Sequence, residues 1–386
     1  MFESKTIFFT YMIRKEILKE LCATPSPSGY EEKAVTLFEE KCLDILSESF
    51  GAISDKDDEK IYDIHRDAIG NSIVRLGLGS KKVMISAHID EIALQVQHID
   101  DNGFIHFIED GGIDRKVLLG STVTIINRHH GDVMGVIGKT PIHIEWQTDS
   151  KDKVNKINEM KIDCGFSSKE EAQKFVSIGD PIVVMDIPFE SPDGNKIFSR
   201  GIDDKSGVWA VIEALRVLVE RYKLKPEHFK DFSFYFVACV QEEVGYDGAV
   251  VAAKEINPNV SIDYDVTFAT DDDNVKKEEY GDITLGKGGC IAFGPDKNVR
   301  LCHLFEDVCE QFHIPYQPFA VGNGGTNTES IKLFSQNPMT ETILISIPQR
   351  NMHTQVEVCD IRDIQSIVNM TVESIEEMVS GNYKII

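Results

Sequence analysis

Five short stretches hold residue types suited to gripping a metal ion and moving a proton. The first is AHIDE, Ala87 to Glu91, directly after the apolar run VMISA. His88 and Asp90 are two apart, so in extended chain they share a face. Asp90 can then hold the imidazole in the tautomer that frees one nitrogen for a cation. A merely polar strand end is the bland alternative, and His-x-Asp alone does not exclude it. The second stretch is RGIDDKSG, Arg200 to Gly207. Aspartate at a helix start is ordinary capping, but with two in a row Asp204 can cap while Asp203 turns into a crevice.

The third is VQEEVG, Val240 to Gly245, after the apolar run FSFYFVACV. Neighbouring strand residues point to opposite faces, so Glu242 and Glu243 share a site only if the backbone bends there. Two carboxylates at the end of an apolar strand are costly to bury without a cation. The pair reads as one ligand and one general base. DYDVTFATDDDN, Asp263 to Asn274, is rich in carboxylates without saying which is used, and PQRNMHTQVEV places His353 just beyond TILISIP. A lone histidine is ordinarily structural or exposed; a position at yet another strand end is what promotes this one. With His88 and His353 as neutral ligands, two divalent ions would be balanced by Asp203, Glu243, Asp265 and a hydroxide.

These stretches need a scaffold that brings strand ends together. Apolar residues recur at helical spacing over Ile13 to Cys22 and Glu31 to Glu40, with Ser28 expected to cap the second helix and Glu31 to complete a capping box. VMISA, FSFYFVACV and ETILISIP read as buried strands, SGVWAVIEALRVLVERY as a strong helix, and Asp360 as the cap of a last helix. The order implies an α/β sheet with helices on both faces, whose strand carboxyl ends open onto a ligand crevice. Between Ile92 and Ile187 the texture changes to short alternating strands with turn signals such as DDNGF and EDGG. We expect residues 92–187 to form a small inserted β-rich domain, leaving 1–91 and 188–386 as a discontinuous catalytic domain.

The chain has 386 residues, long enough for one large domain plus an insertion. Sixty-four acidic against forty basic residues give a net charge of −24, which repels phosphate backbones and anionic lipid. Neither nucleic acid nor membrane is expected as a partner. The apolar run Ile7 to Met12 is too short to span a bilayer and no cleavage site follows it, and the charged DKDDEK reads as a solvated loop. Eight cysteines without a CxxC pair read as reduced core residues, so a cytoplasmic location is expected. VIGKTP is not a P-loop, since Val133 stands where that loop needs glycine; GNGGTN is not a dinucleotide fingerprint; HExxH and GxSxG are absent.

Taken in order, AHIDEIALQV, IDCGFSSKEEAQKFVSIGDPIVV, RGIDDKSGVWAVIEAL, VQEEVGYDGA, DVTFATDDD, LGKGG, GNGGTN and MHTQVEV resemble the dinuclear metallo-aminopeptidases, a family that includes tetrahedral, deblocking and glutamyl aminopeptidases. The resemblance runs from PSPSGYEE to the last helix. It implies a zinc-aminopeptidase-like mixed α/β sheet with an inserted β-barrel-like domain. By it, His88 and Asp265 hold one metal, Glu243 and His353 the other, and Asp203 bridges them. Asp90 orients His88, Glu242 is the base, and the Asp203–Asp204 peptide is cis. It further implies two divalent ions, zinc or cobalt foremost, peptide substrates with a free N-terminus, and homo-oligomers from a dimer through the inserted domain up to a dodecamer. The reaction expected is release of the N-terminal residue by a bridging hydroxide. An amidohydrolase or deacylase of modified amino acids, or a non-catalytic assembly protein on the same fold, are the alternatives. Departures fall at ALQV, at TDDDN, at MHT, and at Asn327, where aspartate is usual.

Overall fold

The computed structural model describes residues 14–51, 60–145, 154–185, 187–322, 325–337 and 339–385. The apolar run Ile7 to Met12 and most of DKDDEK lie outside them.

Four parallel strands form the middle of a mixed sheet. Phe232–Cys239 lies parallel to Lys81–His88, which lies parallel to Val260–Phe268, which in turn lies parallel to Glu341–Arg350. Being buried on both faces, these strands need no polar alternation, which is why VMISA, FSFYFVACV and ETILISIP read as apolar stretches, while 260–268 carries Asp263 and Asp265. Val83, Ile85, Phe234 and Phe236 pack on one side with Trp209 and Val211 of the helix Ile202–Leu224 and with the helix Ile361–Val379. Met84, Val237 and Cys239 face the other way, onto Ala249, Ala252 and Ala253 of the helix Asp247–Ile256. Helices therefore cover both faces, as expected. Antiparallel strands extend the sheet on each side, Ser72–Leu76 beside 232–239 and Glu357–Asp360 beside 341–350.

Six further strands, from Ala93–Ile99 to Pro181–Val184, close into a barrel with its own apolar core around Val96, Phe107, Val123 and Ile162. In the chain the barrel lies between the 81–88 strand and the 202–224 helix. Asp360 caps the last helix by accepting from Arg362 N. All eight cysteines are unpaired, and all but Cys164 are buried. Among the described residues no helix is long and apolar enough to cross a membrane.

One expected device is absent. The helix Glu32–Phe50 begins without a side-chain cap, because Ser28 and Glu31 are engaged elsewhere. Ser28 Oγ donates to Asp90 Oδ2 at 2.7 Å, and Glu31 Oε1 accepts from Gly29 N and Gln241 N. A tertiary partner draws the Ser28 hydroxyl away from the helix start, while Glu31 keeps a local bond to Gly29 N and shares it with Gln241 N.

Candidate metal centre

Parallel pairing in register sets four carboxyl ends along one edge, with His88 opposite Cys239 and Asp265 opposite Ser346. Each strand-end motif is thereby carried to the same crevice. After Cys239 the chain turns through Gln241, whose φ of 58° breaks the strand's alternation and lets Glu242 and Glu243 face one way. Asp203 and Asp204 have non-helical backbone inside the start of the 202–224 helix, and the peptide joining them is cis. Asp204 Oδ1 accepts from Gly207 N at 2.9 Å, which is capping, and Asp203 is left to face the crevice.

Asp203 lies between the two histidines. Its Oδ1 is 3.1 Å from His88 Nε2 and its Oδ2 is 3.3 Å from His353 Nε2. Glu243 Oε2 is 3.6 Å from His353 Nε2, while Glu242 Oε2 and Asp265 Oδ1 are 4.0 and 3.9 Å from His88 Nε2. His88, Asp203, Asp265 and Glu242 are all less than a tenth exposed. Two triplets, His88 with Asp203 and Glu243 and His88 with Glu242 and Asp265, each have donor atoms within 4.8 Å of one another. Both share His88, so the triplets do not reproduce the ligand pairing that the resemblance implies. All seven residues expected at the site are nonetheless in one cluster.

The tautomers are fixed by carbonyl groups. His88 Nδ1 donates to the Asp90 carbonyl at 3.1 Å, and His353 Nδ1 donates to the Gly112 carbonyl at 2.7 Å. A neutral ring in that state presents a lone pair at Nε2. Both Nε2 atoms then face a carboxylate oxygen, acceptor against acceptor, which is stable only with a proton or a cation between them. Glu243 Oε1 is buried without a hydrogen-bond partner among the described residues. Burial first, then the neighbouring carboxylates, push Glu242 up to about 7 and raise Glu243 and Asp265 well above the usual range. A cluster this rich in carboxylate, with two imidazoles aimed into it, has the donor set of a divalent-ion site.

The Asp90 carboxylate has a wider role than its spacing suggests. It is 3.5 Å from His88 Nδ1, but it also accepts from Ser28 Oγ and from the backbone N–H groups of Glu242 and Glu243. It therefore pins the VQEE bend. Three groups were not anticipated from the sequence. Glu357, 1% exposed, accepts from Asp203 N at 3.1 Å and from His353 N at 2.9 Å, tying two of the five candidate ligands together. Its signal is an acid flanked by Val356 and Val358 at the start of the buried strand Glu357–Asp360. Gly112, in the EDGG segment after the barrel strand Ile105–Asp110, acts through its main chain and leaves no side-chain signal. Glu91 receives Lys205 Nζ at 2.9 Å and is also paired with Arg200, all three being buried. Of the departures, Asp271 forms a two-pronged pair with Arg350, and Asn327 is buried with its amide unpartnered.

A mixed sheet covered by helices on both faces, with a closed barrel inserted in the chain, is an architecture shared with TET aminopeptidases of known structure. A TET aminopeptidase from Thaumarchaeota archaeon SCGC AB-539-E09 superposes with a TM-score of 0.82 at 28% identity, over 95% of this chain and 98% of its own. The TET1 peptidase of Pyrococcus horikoshii, which assembles into a tetrahedron or a large octahedral shell, superposes with a TM-score of 0.76 at 30% identity, over 93% and 98%. The lysyl aminopeptidase of Pyrococcus furiosus is 31% identical over 371 residues, 95% of this chain and 98% of the relative. The chain belongs to the M42 glutamyl aminopeptidase family, whose pattern it matches over residues 70–370.

Proposed function

We propose that this protein is a metal-dependent aminopeptidase that removes the N-terminal residue from peptides. The observation that carries the reading is the pair of inward-facing Nε2 atoms set against Asp203, with Glu243 Oε1 orphaned beside them. His88, Asp203, Glu243, Asp265 and His353 would hold two divalent ions, zinc or cobalt foremost, with Asp203 between them. Such ions would acidify a water molecule and polarise the scissile carbonyl. Glu242 would take the water's proton and return it to the leaving amine. Asp90 would hold both the His88 ring and the Glu242 backbone, and Glu357 would fix Asp203 relative to His353. The surplus carboxylate around the centre would hold the substrate's free α-amine, which excludes internal peptide bonds.

We further propose that residues 92–187 act as a separate domain for dimerisation and covering the site, and that the chain forms a homo-oligomer in the cytoplasm. Support comes from the closed barrel, from the Gly112 carbonyl on His353, and from the shells built by the Pyrococcus horikoshii relative. A peptide offered with a free and with an acetylated N-terminus tests the activity. Hydrolysis of the free form alone, lost on chelation and restored by zinc or cobalt, is expected; release of acetate from the blocked form would instead indicate a deacylase.

A further inference from the structure

Past Asp265 and just before His353, the ends of the 260–268 and 341–350 strands and the segments that follow them line an open cavity of about 480 Å³. Phe268, Tyr280 and Met352 give it apolar walls, and Asp272, Gln349 and Arg350 give it polar ones. Met352 adjoins His353 and Phe268 lies three residues beyond Asp265, so the cavity and the centre share both strand ends. Phe268 and Tyr280 meet edge to face with ring centroids 6.4 Å apart, yet each is about half exposed, an apolar surface with room against it.

Resting on the aminopeptidase reading, we propose that this cavity receives the side chain of the substrate's first residue and selects a long side chain ending in a cation, lysine or arginine, over glutamate and aspartate. Two observations carry this. First, the arginine of the cavity is already spent: Arg350 Nε and Nη2 donate to the two oxygens of Asp271 at 2.8 and 2.6 Å. Asp272 also lines the cavity, so Asp271, Asp272 and Arg350 together carry a net charge of −1, and the guanidinium is already engaged when a carboxylate arrives. Second, Gln349 is 1% exposed and neither its Oε1 nor its Nε2 has a partner among the described residues. A buried carboxamide left unbonded is costly, and a substrate ammonium donating to Oε1 would relieve it. The methylene stem of lysine or arginine would lie along Phe268, Tyr280 and Met352.

The test is kcat/KM for lysyl, arginyl, leucyl and glutamyl p-nitroanilides on zinc- or cobalt-loaded protein, with calorimetric binding of free lysine and free glutamate as a readout independent of turnover. We expect the lysyl substrate to exceed the glutamyl one by about 100-fold, the effect of opposing like charges. Asp271→Asn, which releases Arg350, should narrow that ratio about tenfold, and Gln349→Leu should lower the lysyl rate relative to the leucyl one. A wild-type enzyme that cleaves the glutamyl substrate as well as the lysyl one overturns the proposal. So does a lysyl-to-glutamyl ratio untouched by Asp271→Asn. If no substrate at all is cleaved, the aminopeptidase reading fails, and the lysine-against-glutamate binding comparison still decides what the cavity holds.

Discussion

His88 and His353 each commit Nδ1 to a main-chain carbonyl, and each therefore turns a lone pair toward Asp203. The chemistry of the centre follows from that arrangement, and so does the importance of whatever keeps Asp203 and His353 in register. Glu357 performs that task through two backbone N–H groups, one on each residue. Replacing it by glutamine leaves one acceptor oxygen for two donors. We predict that Glu357→Gln keeps the fold but weakens zinc binding by about 10–100-fold, the range for groups that orient metal ligands. Competition with a chromophoric chelator would measure this, and an unchanged zinc affinity would remove Glu357 from the account. The candidate ligands stood out in the sequence chiefly where polar residues follow an apolar run, as His88 follows VMISA and the VQEE carboxylates follow FSFYFVACV. Glu357 was masked because it opens a short strand that also holds the helix cap Asp360 and belongs to no motif, and Gly112 was beyond reach because a carbonyl group has no sequence signature.

At the scale of elements, three of the four parallel strands were readable from apolar runs, VMISA, FSFYFVACV and ETILISIP, since strands covered on both faces need no alternation, whereas Asp263 and Asp265 interrupt the fourth. The start of the 32–50 helix was misread because local propensity cannot see that Ser28 has Asp90 as a partner sixty-two residues away. A second long-range link joins the strand end at Glu91 to the loop before the 202–224 helix. Burial would raise the Glu91 carboxyl, but Arg200 and Lys205 overcome it and hold it down at about 2. Its folded value lies below the unfolded value of about 4.3, so its contribution to stability is present above that pH and is lost as pH falls toward 2. We predict that Glu91→Gln costs about 3–5 kcal/mol at neutral pH, as expected when one partner of a buried ion group is removed. In urea unfolding, the gap from wild type should hold steady down to about pH 5 and shrink below it. A gap that widened with acid would contradict the assignment.

At the scale of the whole molecule, the inserted barrel was visible from sequence as a change of period and a run of turn signals, and its strands run from Ala93 to Val184. How the barrels of different copies meet was not legible, because an interface resembles any other partly apolar surface. The barrel strand Val133–Ile137 keeps Met134 and Val136 exposed. If the barrel joins subunits, light scattering should give a mass well above the monomer's 43.3 kDa. Met134→Glu should then lower that mass with the circular dichroism unchanged. A wild-type monomer at every concentration would rule out the assembly.

Proton transfer by Glu242 within a two-ion centre is the central claim, and its most direct test is the turnover of Glu242→Gln at matched metal content. Glutamine keeps the size of the side chain and cannot take a proton from water. The variant should bind the same number of ions as wild type and hydrolyse an aminoacyl p-nitroanilide at less than about a hundredth of the wild-type rate, since a general base contributes about 100-fold or more. A variant that holds its metal and keeps a larger share of the rate would show that another group moves the proton.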